Sequence, residues 1–308
     1  MNKVYLLSPN ENWICDRIVT EFRVDNPDII TNTLEEADVI WLYADWCWRS
    51  IPRRVLTEKK VITTVHHIVP EKFGDVERRD FDERDSITDI YHVYNQHTFD
   101  FIENLTHRPI KLLNYWANQR IWKKTGDKYD LRKKNGLPNQ YLIGSFVRDT
   151  EGSGIERGIF NPKLEKGPDL FCDLIENINR TRVKNTILQR PHVVLAGWRR
   201  QYVINRLKDI GVSYTYFERP QQHVINELYQ TLDLYPVTAR YEGGPQSLIE
   251  CGLLDVYVIS RPVGIAEQVL DMTSIHENVS LASPSIPNVE QWKIPRGYYP
   301  YRKMVEEL

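Results

Sequence analysis

Four cysteines in 308 residues, at positions 15, 47, 172 and 251, are too few and too scattered for a disulfide scaffold. None forms a CxxC pair, so a zinc site is not expected, and the thiols read as reduced and mostly buried. Long apolar runs are missing as well. Nothing approaches the roughly 18–20 apolar residues that cross a bilayer. The opening MNKVYLLSPN breaks at Pro9, too early for a signal-peptide core, and reads better as a first strand. These absences predict a cytoplasmic protein without a transmembrane segment, with peripheral contact to a membrane surface left open. Charge of one sign is also lacking: 40 basic against 42 acidic residues give a formal net charge of −2. Neither nucleic acid nor an anionic membrane is therefore expected as a general partner.

What the chain does have is alternation. Short apolar runs at 4–7, 39–43, 61–65, 89–94 and 110–113 read as strands, with helical spacing over 13–24 and 96–105 between them. After a predicted helix at 127–134, the breaker-rich segment NGLPNQ (135–140) reads as a linker. The pattern then restarts, with strands at 141–147, 193–196, 213–217, 232–235 and 256–260. Helices are expected at 167–178, 199–210, 221–230 and 246–253. Repeated β–α alternation implies an α/β fold with two doubly wound Rossmann-like domains. The predicted domains are 1–138 and 139–287, with the tail 288–308 packing back on the first domain.

The stretch LDLYPVTARYEGGPQSLIECGLLDVYVISRPVGIAEQV (232–269) is the most informative. A strand leads into a loop carrying Glu242, Gly243 and Gly244, and a helix opens at Pro245 and Gln246. Proline at a helix start, with glycines just before it, leaves backbone N–H groups exposed. Such an end favours a phosphate, because unpaired donors and the helix dipole both attract negative charge. Glu242 and Glu250 stand eight positions apart, roughly 12 Å along a helix axis. That suits two ends of an extended ligand better than a proton-sharing pair. The spacing alone is close to chance, and its weight comes from the strand–loop–helix–strand setting.

This segment resembles the signature of the retaining glycosyltransferases of family 4, which have the GT-B fold: two Rossmann-like domains facing each other across a cleft. The shared pattern is Glu, small residues, proline, an apolar helix, a second Glu and a Cys-Gly pair, then a strand and the element Gly264-Ile265-Ala266-Glu267. The resemblance implies that Glu242 contacts hydroxyls of the donor sugar and Glu250 the ribose. Upstream, YLIGSFVRDTEGSGIERGIFNPKLEKGPDLF is similar to the family's strand–Arg–loop–Lys-Gly–helix element. Arg148 and Lys166 would then hold the donor diphosphate. The loop between them is longer than usual, so Lys163 or Arg157 are alternatives to Lys166. Asn118 falls where the family has an asparagine after a strand, and His66 or His67 where it has a donor-contacting histidine. His66 is slightly preferred, with a histidine capping a strand end as the near alternative. The resemblance covers the second half well and the first loosely. The first βα turn, SPNENWICD (8–16), has no glycine, which leaves contacts from Asn12 and Trp13 open.

Acceptor-side candidates come from IWLYADWCWRS (40–50), where Asp45, Trp46 and Trp48 follow a strand, together with His67. Aromatic faces stack on sugar rings, whereas Trp41 within the strand reads as core. The mixed-charge run 71–85 reads as a mobile surface loop. No DxD-like motif stands at a suitable strand end. The resemblance thus implies metal-independent, retaining transfer from a UDP- or GDP-sugar to a carbohydrate or glycolipid acceptor, with no cofactor. A nucleotide-sugar epimerase and an inactive sugar-nucleotide- or glycan-binding relative are the alternatives.

Overall fold

A computed structural model describes residues 2–11, 14–184 and 190–308. It divides into two units, Met1–Trp116 with Gln291–Leu308, and Ala117–Glu290.

In the first unit, β1 (Val4–Leu7), α1 (Ile14–Asp25), β2 (Val39–Leu42), α2 (Arg53–Glu58), β3 (Lys60–Val65), α3 (Asp75–Asp85), β4 (Ile90–Val93), α4 (Gln96–Glu103) and β5 (Ile110–Leu112) follow in order. The strands form one parallel sheet, β1-β2-β3-β4-β5. Every residue of β2 and β4 is buried, as expected for parallel strands covered on both faces. Ile30 bridges Val4 in parallel, with Val4 and Thr31 donating to Ile29 and Val4 carbonyls. Those bonds leave the other edge of β1 for β2. The chain therefore departs from β1 to one side and returns to the other, which makes β1 a topological switch point.

The run 71–85 is corrected from loop to helix over Asp75–Asp85. Its charges pair along the helix, Arg78 with Asp82 and Arg84 with Asp80, and Glu77 accepts from Gly74 N. Phe81 is buried and stacks on Tyr91, centroids 5.4 Å apart.

The terminal helix Tyr299–Glu306 completes this unit. Tyr301 is fully buried, stacked on Trp41 at 5.7 Å, with its hydroxyl donating to Asn114 O at 2.7 Å. Beside it runs a buried polar relay. Trp41 Nε1 donates to Thr64 Oγ1 (2.8 Å), Thr64 donates to His92 Nδ1 (3.0 Å), and His92 Nε2 donates to Leu113 O (3.1 Å). This chain needs a neutral His92. Burial lowers its pKa to about 3; the Leu113 carbonyl opposes the shift and the charge of His66 adds to it.

In the second unit, α5 (Lys128–Lys134), β6 (Tyr141–Ser145), α6 (Pro168–Lys184), β7 (Pro191–Gly197), α7 (Gln201–Asp209), β8 (Ser213–Glu218), α8 (Gln222–Thr231), β9 (Tyr235–Val237), α9 (Gln246–Leu254) and β10 (Val258–Ser260) succeed one another. Strands β6-β7-β8 and β10-β9 form two parallel sheets, joined by a parallel bridge between Ile143 and Leu234. The order is therefore β10-β9-β6-β7-β8. The chain starts at β6, winds outward to β8, then crosses to β9, so the switch point lies between β6 and β9.

Two expectations are revised. The segment 135–140 is not a linker but the turn between α5 and β6, with Gly136 left-handed at φ +65°. Helix α5 belongs to the second unit because Arg132 donates to Thr231 O and Asp233, and Lys134 pairs with Glu227. The boundary thus falls after Trp116 rather than after 138. The strand expected at 232–235 begins at Tyr235, because Leu232 is still the C-cap of α8.

His92 binds a proton in the unfolded chain near pH 6.5 but only near pH 3 when folded. Its contribution is fully present above 6.5 and is lost as pH falls toward 3. Urea midpoints should fall between about pH 6.5 and 5, above most carboxylate titration, and His92→Gln should flatten that slope.

Candidate functional site

The loops after β6 and β9 meet at the switch point, the end of a doubly wound sheet where ligands bind. Arg148 sits just past β6. The next residue, Asp149, is fully buried and accepts from Arg200 Nε at 2.5 Å. Arg200, also fully buried, donates to Ser145 O (2.5 Å), Ser145 Oγ (2.9 Å) and Ala196 O (3.0 Å). This guanidinium binds the ends of β6 and β7 to the loop that starts at Arg148.

The unusually long loop is an excursion closed at its base. Thr150 and Pro162 form an antiparallel bridge, Glu151 N donates to Asn161 O, and Lys163 N donates to Asp149 O at 2.7 Å. The closure brings Lys163 back beside the start of the loop. Burial lowers the Lys163 pKa, and the charges of Arg148 and Lys166 lower it further against the pull of Glu165. Arg148, Lys163 and Lys166 thus form one cationic group. Arg157 lies exposed on the excursion.

After a 3-10 turn over Leu164–Lys166, Gly167 is left-handed at φ +61°. A Cβ there would lie 1.9 Å from Thr238 O, so only glycine fits. Around it the two loops are laced together. Arg240 N and Tyr241 N donate to Glu165 O (2.8 and 3.1 Å), and Thr238 Oγ1 donates to Gly167 O (2.9 Å). Arg240 also forks onto both oxygens of Asp169 (2.8 and 2.6 Å). Lys166 Nζ thereby meets Glu242 Oε1 at 2.7 Å, with both side chains mostly buried.

Gly243, Gly244 and Pro245 are buried, and Pro245 is the N-cap of α9 rather than its first helical residue, the helix starting at Gln246. Neither Gly243 nor Gly244 is left-handed. Gly264 packs against both: a Cβ on it would lie 2.4 Å from Pro245 Cδ and 3.0 Å from Gly244 Cα. The two halves of the sequence signature are therefore in direct contact. Gln246 opens α9, and Glu250 is buried on that helix beside Tyr229. Burial and the Glu250 charge push the Tyr229 pKa well up, so the phenol stays protonated. Phe146, Tyr229 and Tyr235 form an aromatic cluster at this end of the sheet, with centroids 4.7–5.5 Å apart. Asn118 is buried in its own turn, where Oδ1 accepts from Arg120 N at 3.1 Å.

Sequence reasoning missed Asp149, Arg200 and Tyr229. The only written cue was the acid directly after Arg148 and the WRR run at 198–200. It also missed Trp198, over whose ring lie the guanidiniums of Arg199 (3.9 Å) and Arg219 (4.3 Å).

The first unit carries the other candidates. His66 follows β3; its Nε2 is 2.9 Å from Tyr43 O and its Nδ1 3.2 Å from Tyr115 OH, so both ring nitrogens are engaged within the unit. Trp46 is half exposed, donates to Glu11 at 3.1 Å, and lies 5.8 Å from the His66 ring. Asp45 pairs with Arg84 at 3.3 Å; burial raises its pKa, and the charges of Arg84 and His67 act against that. Trp48 is corrected from acceptor-side candidate to core: it is buried among Ile40, Leu42, Ile51 and Leu56. Asn12 and Trp13 lie outside the described residues. In the same turn, Asn10 takes the left-handed conformation (φ 56°) that glycine would otherwise supply, and Asn10 N donates to Asp16 Oδ1 at 2.8 Å. Asp16 stands in the first turn of α1 and already places an anion at that helix start.

Among the described residues, no group of three or more His, Cys, Asp or Glu side chains is arranged to hold a metal. No helix there is long and apolar enough to cross a membrane.

No protein-family model matches the sequence, and no curated protein does. Solved structures do match. Anabaena HepE in complex with UDP and glucose aligns with a TM-score of 0.69 at 13% identity, over 92% of this chain and 88% of that one. A sucrose-phosphate synthase from Thermosynechococcus elongatus gives 0.59 at 12% identity, over 84% of this chain and 63% of that one. A UDP-forming α,α-trehalose-phosphate synthase from Burkholderia xenovorans gives 0.58 at 13% identity, over 94% and 74%. The chain has the GT-B fold.

Replacing Arg200 by methionine would leave the Asp149 carboxylate buried and unpaired, a loss of about 3–5 kcal/mol. Chemical denaturation should show this, and Asp149→Leu in the Arg200→Met background should recover most of it. A single Arg200→Met change within 1 kcal/mol of wild type, roughly the scale of a surface pair, would contradict the role given to this ion pair.

Proposed function

We propose that the chain is a retaining glycosyltransferase of the family-4 type. It moves a sugar from a nucleotide diphosphate to a hydroxyl of a carbohydrate or glycolipid acceptor, without a metal or cofactor. The observation that carries this reading is the convergence of Arg148, Lys163 and Lys166 with Glu242 at the second unit's switch point.

As the bond from the sugar's anomeric carbon to the phosphate oxygen breaks, negative charge collects on the departing diphosphate. Preorganised cations lower the barrier by meeting that charge where it develops. Arg148 and Lys166 take this role, Lys163 adds to their field, and the start of α9 offers backbone donors. Glu242 accepts from donor-sugar hydroxyls and Glu250 from ribose hydroxyls, with the protonated Tyr229 beside it. In front-face transfer the acceptor oxygen bonds the anomeric carbon on the side the diphosphate leaves. The acceptor's proton passes to the leaving phosphate oxygen, which keeps atoms and charge balanced. Trp46 and Asp45 are the proposed acceptor contacts of the first unit. The HepE complexes with UDP and with UDP-glucose favour a uridine donor over a guanosine one.

Thermal-shift screening against UDP, GDP and their sugars tests the donor site. Stabilisation by a uridine diphosphate is expected, and no response to either nucleotide would sink the reading. With a competent acceptor, UDP release should depend on that acceptor; turnover of donor alone would favour an epimerase. Lys166→Met should lower kcat/KM by roughly 10²–10³. Glu250→Ala should weaken UDP and UDP-sugar alike by about tenfold, the loss of one charge-assisted hydrogen bond.

A further inference from the structure

The Lys166–Glu242 contact joins two residues with separate duties toward the donor. Resting on the donor-site reading above, we infer that this ion pair makes Glu242 the residue that discriminates the intact nucleotide sugar from the bare nucleotide diphosphate.

The pair is built rather than incidental. Its nitrogen and oxygen are 2.7 Å apart, and the side chains are 16% and 18% exposed. The backbone on each side is fixed by the Arg240 and Tyr241 bonds to Glu165 O, the Thr238 bond to Gly167 O, and the Arg240–Asp169 fork. The close approach of the two loops requires glycine at 167, where a Cβ would lie 1.9 Å from Thr238 O.

A bare diphosphate that takes Lys166 competes with Glu242 for the ammonium and sets fresh negative charge beside that mostly buried carboxylate. Both effects oppose binding. An intact nucleotide sugar makes the same demand on Lys166 but brings hydroxyl donors to Glu242, which replace the lost hydrogen bond. Glu242 therefore works against the spent nucleotide and for the substrate. The consequence is weak retention of the diphosphate product.

Calorimetric titration with UDP and with UDP-glucose tests this in wild type, Glu242→Gln, Lys166→Met and the double variant. Glutamine keeps the shape and removes the charge. Glu242→Gln should bind UDP roughly threefold to tenfold more tightly than wild type and UDP-glucose no more tightly, so the preference between them shrinks. In the Lys166→Met background the same change should have less than about half that effect. Glu242→Ser, smaller and also neutral, should move UDP affinity in the same direction, which guards against a local distortion peculiar to glutamine. UDP affinity unchanged or weakened in both neutral variants overturns the inference while leaving the donor site standing. Equal tightening of UDP and UDP-glucose overturns it too. A wild-type protein that binds neither ligand removes the donor site itself.

Discussion

Arg200 and its partner Asp149 hold the second unit's site in register. Neither is exposed to solvent, and the guanidinium spends its donors on the carboxylate, the end of β6 and the end of β7. Desolvating two charges is tolerable only because nearly every donor and acceptor finds a partner. The carboxylate is further satisfied by Thr150, whose hydroxyl in turn receives the Tyr202 N–H at the start of α7. Arg148 and Lys163 flank this buried pair in the chain, one beside Asp149 and the other bonded to its carbonyl. The site's cations are positioned here by an interior one.

The two switch points are alike in architecture and opposite in chemistry. In the second unit, cations and a helix start suit an anion. In the first, Asp16 already occupies the helix start, and aromatic rings cluster there: Trp46, His66, Tyr43 and Tyr94. A positively charged end recruits phosphate. An end of rings and hydroxyls suits a neutral, ring-shaped partner. The fold supplies the same position twice, and local side chains decide its use.

Much of this was legible in the sequence. Strand and helix order followed from hydrophobic periodicity because parallel strands are buried on both faces and their helices on one. The EGGP segment and the GIAE element could be paired by resemblance, and Gly264 shows why they travel together: one is packing surface for the other. Other features had no local signature. The helix at 75–85 is stabilised by i,i+4 charge pairs and a single buried ring, which composition alone reads as loop. The unit boundary depended on Arg132 and Lys134 reaching residues about a hundred positions away. Trp46 and Trp48 are two residues apart, yet one is open and the other core, because the short 3-10 turn points them differently. That Lys163 joins the cationic group depended on the Thr150–Pro162 bridge, a closure that no spacing rule anticipates.

The return of Gln291–Leu308 to the first unit bears on how the chain is made. Tyr301 packs against Phe22, Trp41 and Trp116 and caps Asn114 O, so it sits at the centre of that unit's interior. On the ribosome it emerges only after the whole of Ala117–Glu290. The second unit can therefore close its core during synthesis, while the first must keep a vacancy among its aromatic residues open throughout. The first unit's interior is complete only once a segment translated after the whole second unit is in place.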